Sequence, residues 1–86
     1  EFAILAPRTT AKQMEALVLE VQQALAALAL PHPTTPSGCV TLSAGVAAHV
    51  AQAGEAPESL VAAADRALYQ AKTAGRNRAV MAEKNI

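Results

Sequence analysis

The sequence predicts an α+β domain in which helices and strands pack in layers, in the order β-α-β-α-β. Three patterns support this prediction: apolar residues at helical spacing, a clean apolar–polar alternation, and prolines and glycines between the segments. The predicted elements are a strand at 2–6, a helix at 10–29, a strand at 39–48, a helix at 57–74 and a strand at 77–82. With no internal repeat, the 86 residues correspond to one small domain or to part of one.

The composition indicates a small core and no general affinity for charged polymers. Hydrophobic residues make up 52% of the chain but aromatic residues only 2%, so few large side chains are available for burial. Seven basic residues balance seven acidic ones, which argues against nucleic acid or a membrane surface as a partner of this segment. A single cysteine, no signal peptide and no apolar run of about 20 residues favour a cytoplasmic location, with any membrane anchor lying in upstream segments of a parent protein.

The first half of the chain contains the most regular helical pattern. The apolar run "FAILA", closed by Pro7, has the length of a buried strand. Thr10 then stands three residues before Gln13, which is the spacing of a helical capping box. Apolar residues at steps of three and four predict one buried stripe: Met14, Leu17, Val18, Val21, Leu25 and Leu28. The next segment, "LPHPTTPSG", holds three prolines and a glycine and predicts a loop.

The second half combines an alternating strand with an alanine-rich helix. In "CVTLSAGVA" the apolar residues alternate with Thr41, Ser43 and Gly45, which predicts a strand with two different faces. Pro57 suits the first turn of the second helix, and Gly75 suits its termination. The predicted buried stripe of this helix consists of Leu60, Val61, Ala64, Leu68 and Ala71. "NRAVMA" then predicts a closing strand.

Charged residues cluster near the end of the second helix. Asp65, Tyr69 and Lys72 share one helical face, and Arg76 would join them if the helix continued that far. One interpretation is a solvated face with an ion pair, on which cations stabilise the helix C-terminus. The other is an anion clamp, because an ammonium and a planar guanidinium one turn apart suit a polyphosphate. Spacing alone leaves both interpretations open.

Three segments resemble one known family. "ADRALYQAKTAGRNRA" resembles the last helix of the GGDEF, or diguanylate cyclase, family, for which A-D-x-A-L-Y-x-A-K-x-x-G-R-N is characteristic. "VTLSAGVA" is similar to the family strand before that helix. "EFAILAP" is similar to the end of the G-G-[DE]-E-F signature and the strand after it, so that Glu1 and Phe2 would be the last two letters of the signature. The resemblance implies the C-terminal half of one domain, starting inside the signature, with a palm-like, ferredoxin-like fold.

The resemblance also implies an activity. Members of the family condense two GTP molecules into cyclic di-GMP and pyrophosphate in bacterial second-messenger signalling, using Mg²⁺ (or Mn²⁺) and two facing copies of the domain. Lys72 and Arg76 match the basic pair that grips the GTP phosphates. Glu1 matches the signature glutamate implicated in catalysis and metal binding, whereas Asp65 is expected to be a structural partner of Lys72 or Tyr69. The implied partners are GTP, a second copy, and an upstream sensor or receiver domain of the parent protein.

Three functional hypotheses are compatible with these patterns. In the first, the parent protein is an active diguanylate cyclase and this segment alone is inactive. In the second, the domain is degenerate and binds nucleotide or protein without catalysis. In the third, the chain is a small interaction module unrelated to nucleotides. The first is the one we favour.

By resemblance, the family's first strand would lie between 2–6 and 39–48, and its absence leaves two edges unpaired. The two strands could close up into a parallel pair, a second copy could supply the missing edge, or the chain could be a piece that is ordered only by its neighbours in a crystal. We expect pairing with a second copy. In the sequence, no metal-ligating or catalytic residue type stands at the required spacing from His32, His49 or Cys39, so we expect loop roles for the histidines and apolar packing for the cysteine.

Overall fold

A computed structural model describes residues 2–34, 36, 38–49, 54 and 56–82. Within these ranges the elements are α1 (Ala11–Leu28), β1 (Ala44–Val46), α2 (Pro57–Thr73) and β2 (Ala79–Met81). The mixed α+β class predicted from the sequence is therefore confirmed, with two helices and a two-stranded parallel sheet in the described part of the chain. No helix in these ranges is both long and apolar enough to cross a bilayer.

Helix α1 begins at the predicted capping box. The Thr10 hydroxyl accepts a hydrogen bond from the Gln13 N–H at 3.1 Å, and the Gln13 side-chain oxygen accepts one from the Thr10 N–H at 2.8 Å. Both amides would otherwise lack an intrahelical partner, so the box satisfies two donors at once. The helix ends at Ala29, a left-handed residue with φ 48° whose N–H bonds to the Ala26 carbonyl.

The buried face of α1 is narrower than the apolar stripe predicted. Its inner residues recur at steps of three and four, with Val18 the most buried: Ala11, Met14, Val18, Gln22 and Leu25. Leu17, Val21 and Leu28 are exposed. At about 100° per residue these three lie about 60–100° from the centre of the inner face. A sheet of two short strands covers only a narrow band of the helix, so they remain outside the contact.

Strands β1 and β2 pair in parallel. Ala44 lies opposite Ala79, Gly45 opposite Val80 and Val46 opposite Met81. The strands are shorter than the predicted 39–48 and 77–82, because only three residues of each are paired as a ladder. An isolated antiparallel bridge joins Cys39 to Pro31 upstream of β1. The loop after α1 therefore folds back alongside the chain that leads into β1.

Helix α2 lies directly on the backbone of β1. A Cβ atom added to Gly45 would overlap the Ala64 carbonyl oxygen and the Leu68 nitrogen and would lie 2.9 Å from the Ala67 carbonyl carbon. Ala67 and Ala71 are 2% and 0% exposed. Small residues on the strand and on the helix thus allow the two backbones to approach closely.

The two helices cover different faces of the sheet. Each of them contacts both strands, yet within the described ranges no Cα atom of α1 comes within 8 Å of a Cα atom of α2. Neighbouring strands are only about 4.8 Å apart and packed helices about 8–10 Å apart, so two helices on one face of this sheet would touch. The sheet is therefore the middle layer of three.

The predicted stripe of α2 was wrong at one position and missed another. Val61 is 62% exposed, whereas Ala67, which the predicted stripe does not include, is buried. On a helix, Leu60, Ala64, Ala67 and Ala71 lie within about 30° of a common line, and Val61 lies about 90° from it. Val61 was predicted to be buried because it is hydrophobic. Ala67 is buried instead, because it lies on the inner face of the helix, where α2 approaches the backbone at Gly45.

Residues 2–6 do not form the predicted strand. They have no regular secondary structure, and Phe2, Ile4 and Leu5 are exposed. A strand requires a hydrogen-bonded neighbour, and in the described part of the chain β1 and β2 pair only with each other. This segment therefore does not close against the chain around β1.

Candidate functional site

The candidate site is the corner where α2 ends and the chain turns into β2. Lys72 stands in the last turn of α2 and is half-buried. A cation here interacts favourably with the negative end of the helix dipole. Beside it, the Thr73 hydroxyl donates to the Tyr69 carbonyl at 2.8 Å. The first cation of the site is therefore held by the last turn of a regular α-helix.

A tight turn leads away from the helix. The Gly75 N–H bonds to the Lys72 carbonyl at 3.4 Å and the Arg76 N–H to the Ala71 carbonyl at 2.9 Å, which is the Schellman pattern of helix termination. Gly75, Arg76 and Asn77 are all left-handed, with φ of 122°, 64° and 50°. Glycine enters this region without a Cβ clash, which explains why the helix ends here.

The turn places Arg76 beyond the end of α2, past the predicted stop at Gly75. Because α2 ends at Thr73, Arg76 does not extend the helical face of Asp65 and Lys72. Its backbone is instead held at the helix end by the bond to the Ala71 carbonyl, the residue before Lys72. The two cations therefore belong to one corner of the molecule, with the Arg76 side chain exposed and Lys72 half-buried.

Two residues to which the sequence assigned no role support this corner. The Ser43 hydroxyl accepts a hydrogen bond from the Asn77 N–H at 3.0 Å. Arg78 donates from Nε to the Arg76 carbonyl at 3.0 Å, and its guanidinium would lie 2.9 Å from a Cβ on Gly75. The alternating pattern around Ser43 predicts only a strand position, and no sequence pattern gives Arg78 a partner.

The register between β1 and β2 would have predicted that Ser43 lies beside the turn. Ser43 directly precedes β1 and Arg78 directly precedes β2, and the first residues of these strands, Ala44 and Ala79, lie opposite each other. Parallel pairing of "SAGVA" with "RAVMA" in this register places the serine beside the turn. The register, however, depends on contacts across the sheet and is not contained in either segment alone.

Asp65 and Tyr69 lie on α2 itself, before the turn. With Arg66 and Gln70 they line a shallow, open depression on the outer side of α2. Tyr69 is largely exposed, and Asp65 is exposed as well. The expected pairing of Asp65 with Lys72 or Tyr69 stays a prediction.

The described residues do not provide a metal site. No three His, Cys, Asp or Glu side chains in the described ranges come together in a group that could hold an ion. Glu1, the residue predicted to bind Mg²⁺ or Mn²⁺, lies outside the described residues. His32 belongs to a loop contact, with its Nδ1 at 2.9 Å from the Thr34 hydroxyl.

A protein-family model matches most of the chain. Residues 1–78 match the family described as "Diguanylate cyclase, GGDEF domain". The match includes β1, α2 and the turn that carries Arg76. No curated protein matches the chain.

Proposed function

The chain belongs to the GGDEF, or diguanylate cyclase, family, and on that premise we propose that Lys72 and Arg76 bind the phosphate groups of GTP. The parent domain then joins two GTP molecules into cyclic di-GMP with release of pyrophosphate. The observation that carries the proposal is the corner itself, where a hydrogen-bonded turn holds Arg76 at the helix end that bears Lys72. A second copy of the domain presents the second GTP, and an upstream sensor or receiver domain controls the pairing.

Side chains, rather than backbone amides, must supply the affinity for phosphate at this corner. The backbone N–H groups of residues 74–77 all donate to acceptors within the chain. The C-terminal end of a helix also carries partial negative charge, which disfavours an anion. An ammonium and a guanidinium offset that charge and can neutralise the phosphates, which phosphoryl transfer requires.

We propose Glu1 as a ligand of Mg²⁺ or Mn²⁺, on the basis of its match to the signature. Its carboxylate is the hard oxygen ligand that these ions prefer. When bound, a divalent ion supplies further neutralisation of the phosphate charge. The described residues offer no cluster that completes such a site, so Lys72 and Arg76 carry the testable part of the proposal.

Replacing either cation tests the proposal directly. Lys72→Ala or Arg76→Ala in the full-length parent protein should slow pyrophosphate release from GTP about ten- to hundredfold, because losing a charged hydrogen bond typically costs about 1.5–3 kcal/mol. Lys12→Ala and Arg66→Ala remove the same charges from exposed positions outside the corner and serve as matched controls. Wild-type rates in both corner variants would remove these residues from the site.

The same assay separates the competing functions. GTP binding without pyrophosphate release in the intact parent would indicate a degenerate domain that works as a binding module. Failure to bind GTP at all would favour an interaction module unrelated to nucleotides. We propose that the isolated 86-residue chain is inactive, so it serves as the negative control for turnover. We also propose that the parent domain acts in the cytoplasm, where GTP is available as its substrate.

A further inference from the structure

A side chain from outside α2 and β2 ties the turn after α2 to the rest of the molecule. The amides of Ala74, Gly75 and Arg76 donate to carbonyls of α2 itself, whereas the Asn77 amide donates to the Ser43 hydroxyl. Ser43 and Asn77 are 34 positions apart in the chain. Their hydrogen bond joins the turn to the β1 side of the sheet.

The conformation of the turn needs such a tie. Arg76 and Asn77 are consecutive non-glycine residues in the left-handed region, which is costly for a residue with a Cβ. Such conformations persist only when surrounding contacts hold them. Without the serine hydroxyl, the Asn77 amide could turn to solvent, and the exposed corner would relax towards ordinary backbone angles.

Ser43 is also placed where it can align the turn with α2. Gly45, two residues further along, is in backbone contact with α2 at Ala64 and Leu68. The span 43–45 therefore contacts the middle of α2 at one end and the turn at the other. Arg78, by contrast, bonds to a carbonyl only two residues away within the turn, and that bond cannot relate the turn to the helix.

We propose that Ser43 is a positioning residue that holds Arg76 in place for GTP phosphates. This inference rests on the proposed function and assigns to Ser43 no contact with the nucleotide. The hydroxyl acts through the Asn77 amide, and its loss lowers the population of the turn in which Arg76 stands beside Lys72.

Two variants of equal shape isolate the hydroxyl. Ser43→Thr keeps it and Ser43→Val replaces it by a methyl group, and both residues favour strands. We expect kcat/KM for GTP in the full-length protein to fall about fivefold in S43V and to stay near wild type in S43T, as loss of one hydrogen bond predicts. Equal activity of S43V and wild type would overturn the inference. Should S43V fail to fold, the smaller Ser43→Ala takes its place in the same comparison.

A double substitution distinguishes positioning from general stability. If Ser43 acts through Arg76, S43V should reduce kcat/KM no further in an R76A background, whereas an independent structural effect would add to that of R76A. Hydrogen exchange of the Asn77 amide, which we expect to be faster in S43V than in S43T, reports on the bond without any need for turnover. If R76A itself has wild-type activity, the proposed role of Arg76 in GTP binding fails and the inference falls with it, even where exchange confirms the hydrogen bond.

Discussion

The absence of a side chain at Gly45 determines how closely α2 packs on β1. The alternation of Gly45 with Ala44 and Val46 makes it part of an ordinary strand, but its α2-facing side has no room for a Cβ. With this close approach, Ala67 and Ala71 are almost fully buried although neither side chain is large. In an alanine-rich core, close backbone approach replaces the area that larger side chains would bury.

We predict that Gly45→Ala destabilises the fold by about 1–3 kcal/mol, the usual cost of inserting atoms into a packed contact. Thermal or denaturant unfolding of the purified protein measures it. Gly38→Ala is the control. Gly38 has φ 74° and nothing lies within 4 Å of an added Cβ, so this variant measures the cost of a left-handed backbone without any steric overlap. An effect of G45A no larger than that of G38A would contradict the packing argument.

The two helices start in different ways. Helix α1 has a complete capping box formed by Thr10 and Gln13. The N-cap of α2 is Ala56, which makes no side-chain cap. Pro57 has no N–H that would need a cap, and Glu58 in the first turn complements the helix dipole. Helix α1 is thus defined by its own residues, whereas α2 depends more on its packing against β1.

We predict that Thr10→Ala lowers the stability of α1 by about 1 kcal/mol, because the Gln13 amide loses its acceptor. The helical signal in circular dichroism and the unfolding midpoint should both decrease. Thr10→Ser keeps the hydroxyl and should behave like the wild type. Indistinguishable Ala and Ser variants would show that tertiary contacts, not the cap, determine where α1 begins.

The whole molecule is less compact than its length suggests. Its radius of gyration is 14.1 Å, against about 12 Å for a compact domain of this size. The buried hydrophobic residues in the described ranges are few: Val18, Val46, Ala67 and Ala71. The apolar residues Phe2, Ile4 and Leu5 are exposed on a segment without a strand partner in the described part of the chain. Such a segment favours pairing with another edge over remaining in water.

We predict that the isolated 86-residue chain associates through backbone pairing of residues 2–6 with the chain around β1 of a second copy. Light scattering should show a mass that increases with concentration. Ile4→Pro removes a backbone donor and should weaken association, whereas Ile4→Val should not. A monomer at every concentration, or equal association of both variants, would contradict the prediction.

Local sequence was enough for the features that depend on neighbours within one helical turn. The Thr10–Gln13 box and the Gly75 stop arise from residues three to five positions apart, and the ends of both helices matched within a residue or two. The choice of Lys72 and Arg76 also came from the sequence, through resemblance to a family whose match the comparison confirmed. Their role in binding phosphate stays a proposal.

Only the tertiary structure decided which of these elements have partners. The failure of 2–6 to form a strand, the exposure of Val61 and the burial of Ala67 depend on what lies across from each residue. The Ser43–Asn77 bond and the contact of Gly45 with α2 join segments about 20 to 34 residues apart. A periodic pattern states which side of an element is apolar, but the register and distance of the neighbouring backbone determine which residues are covered.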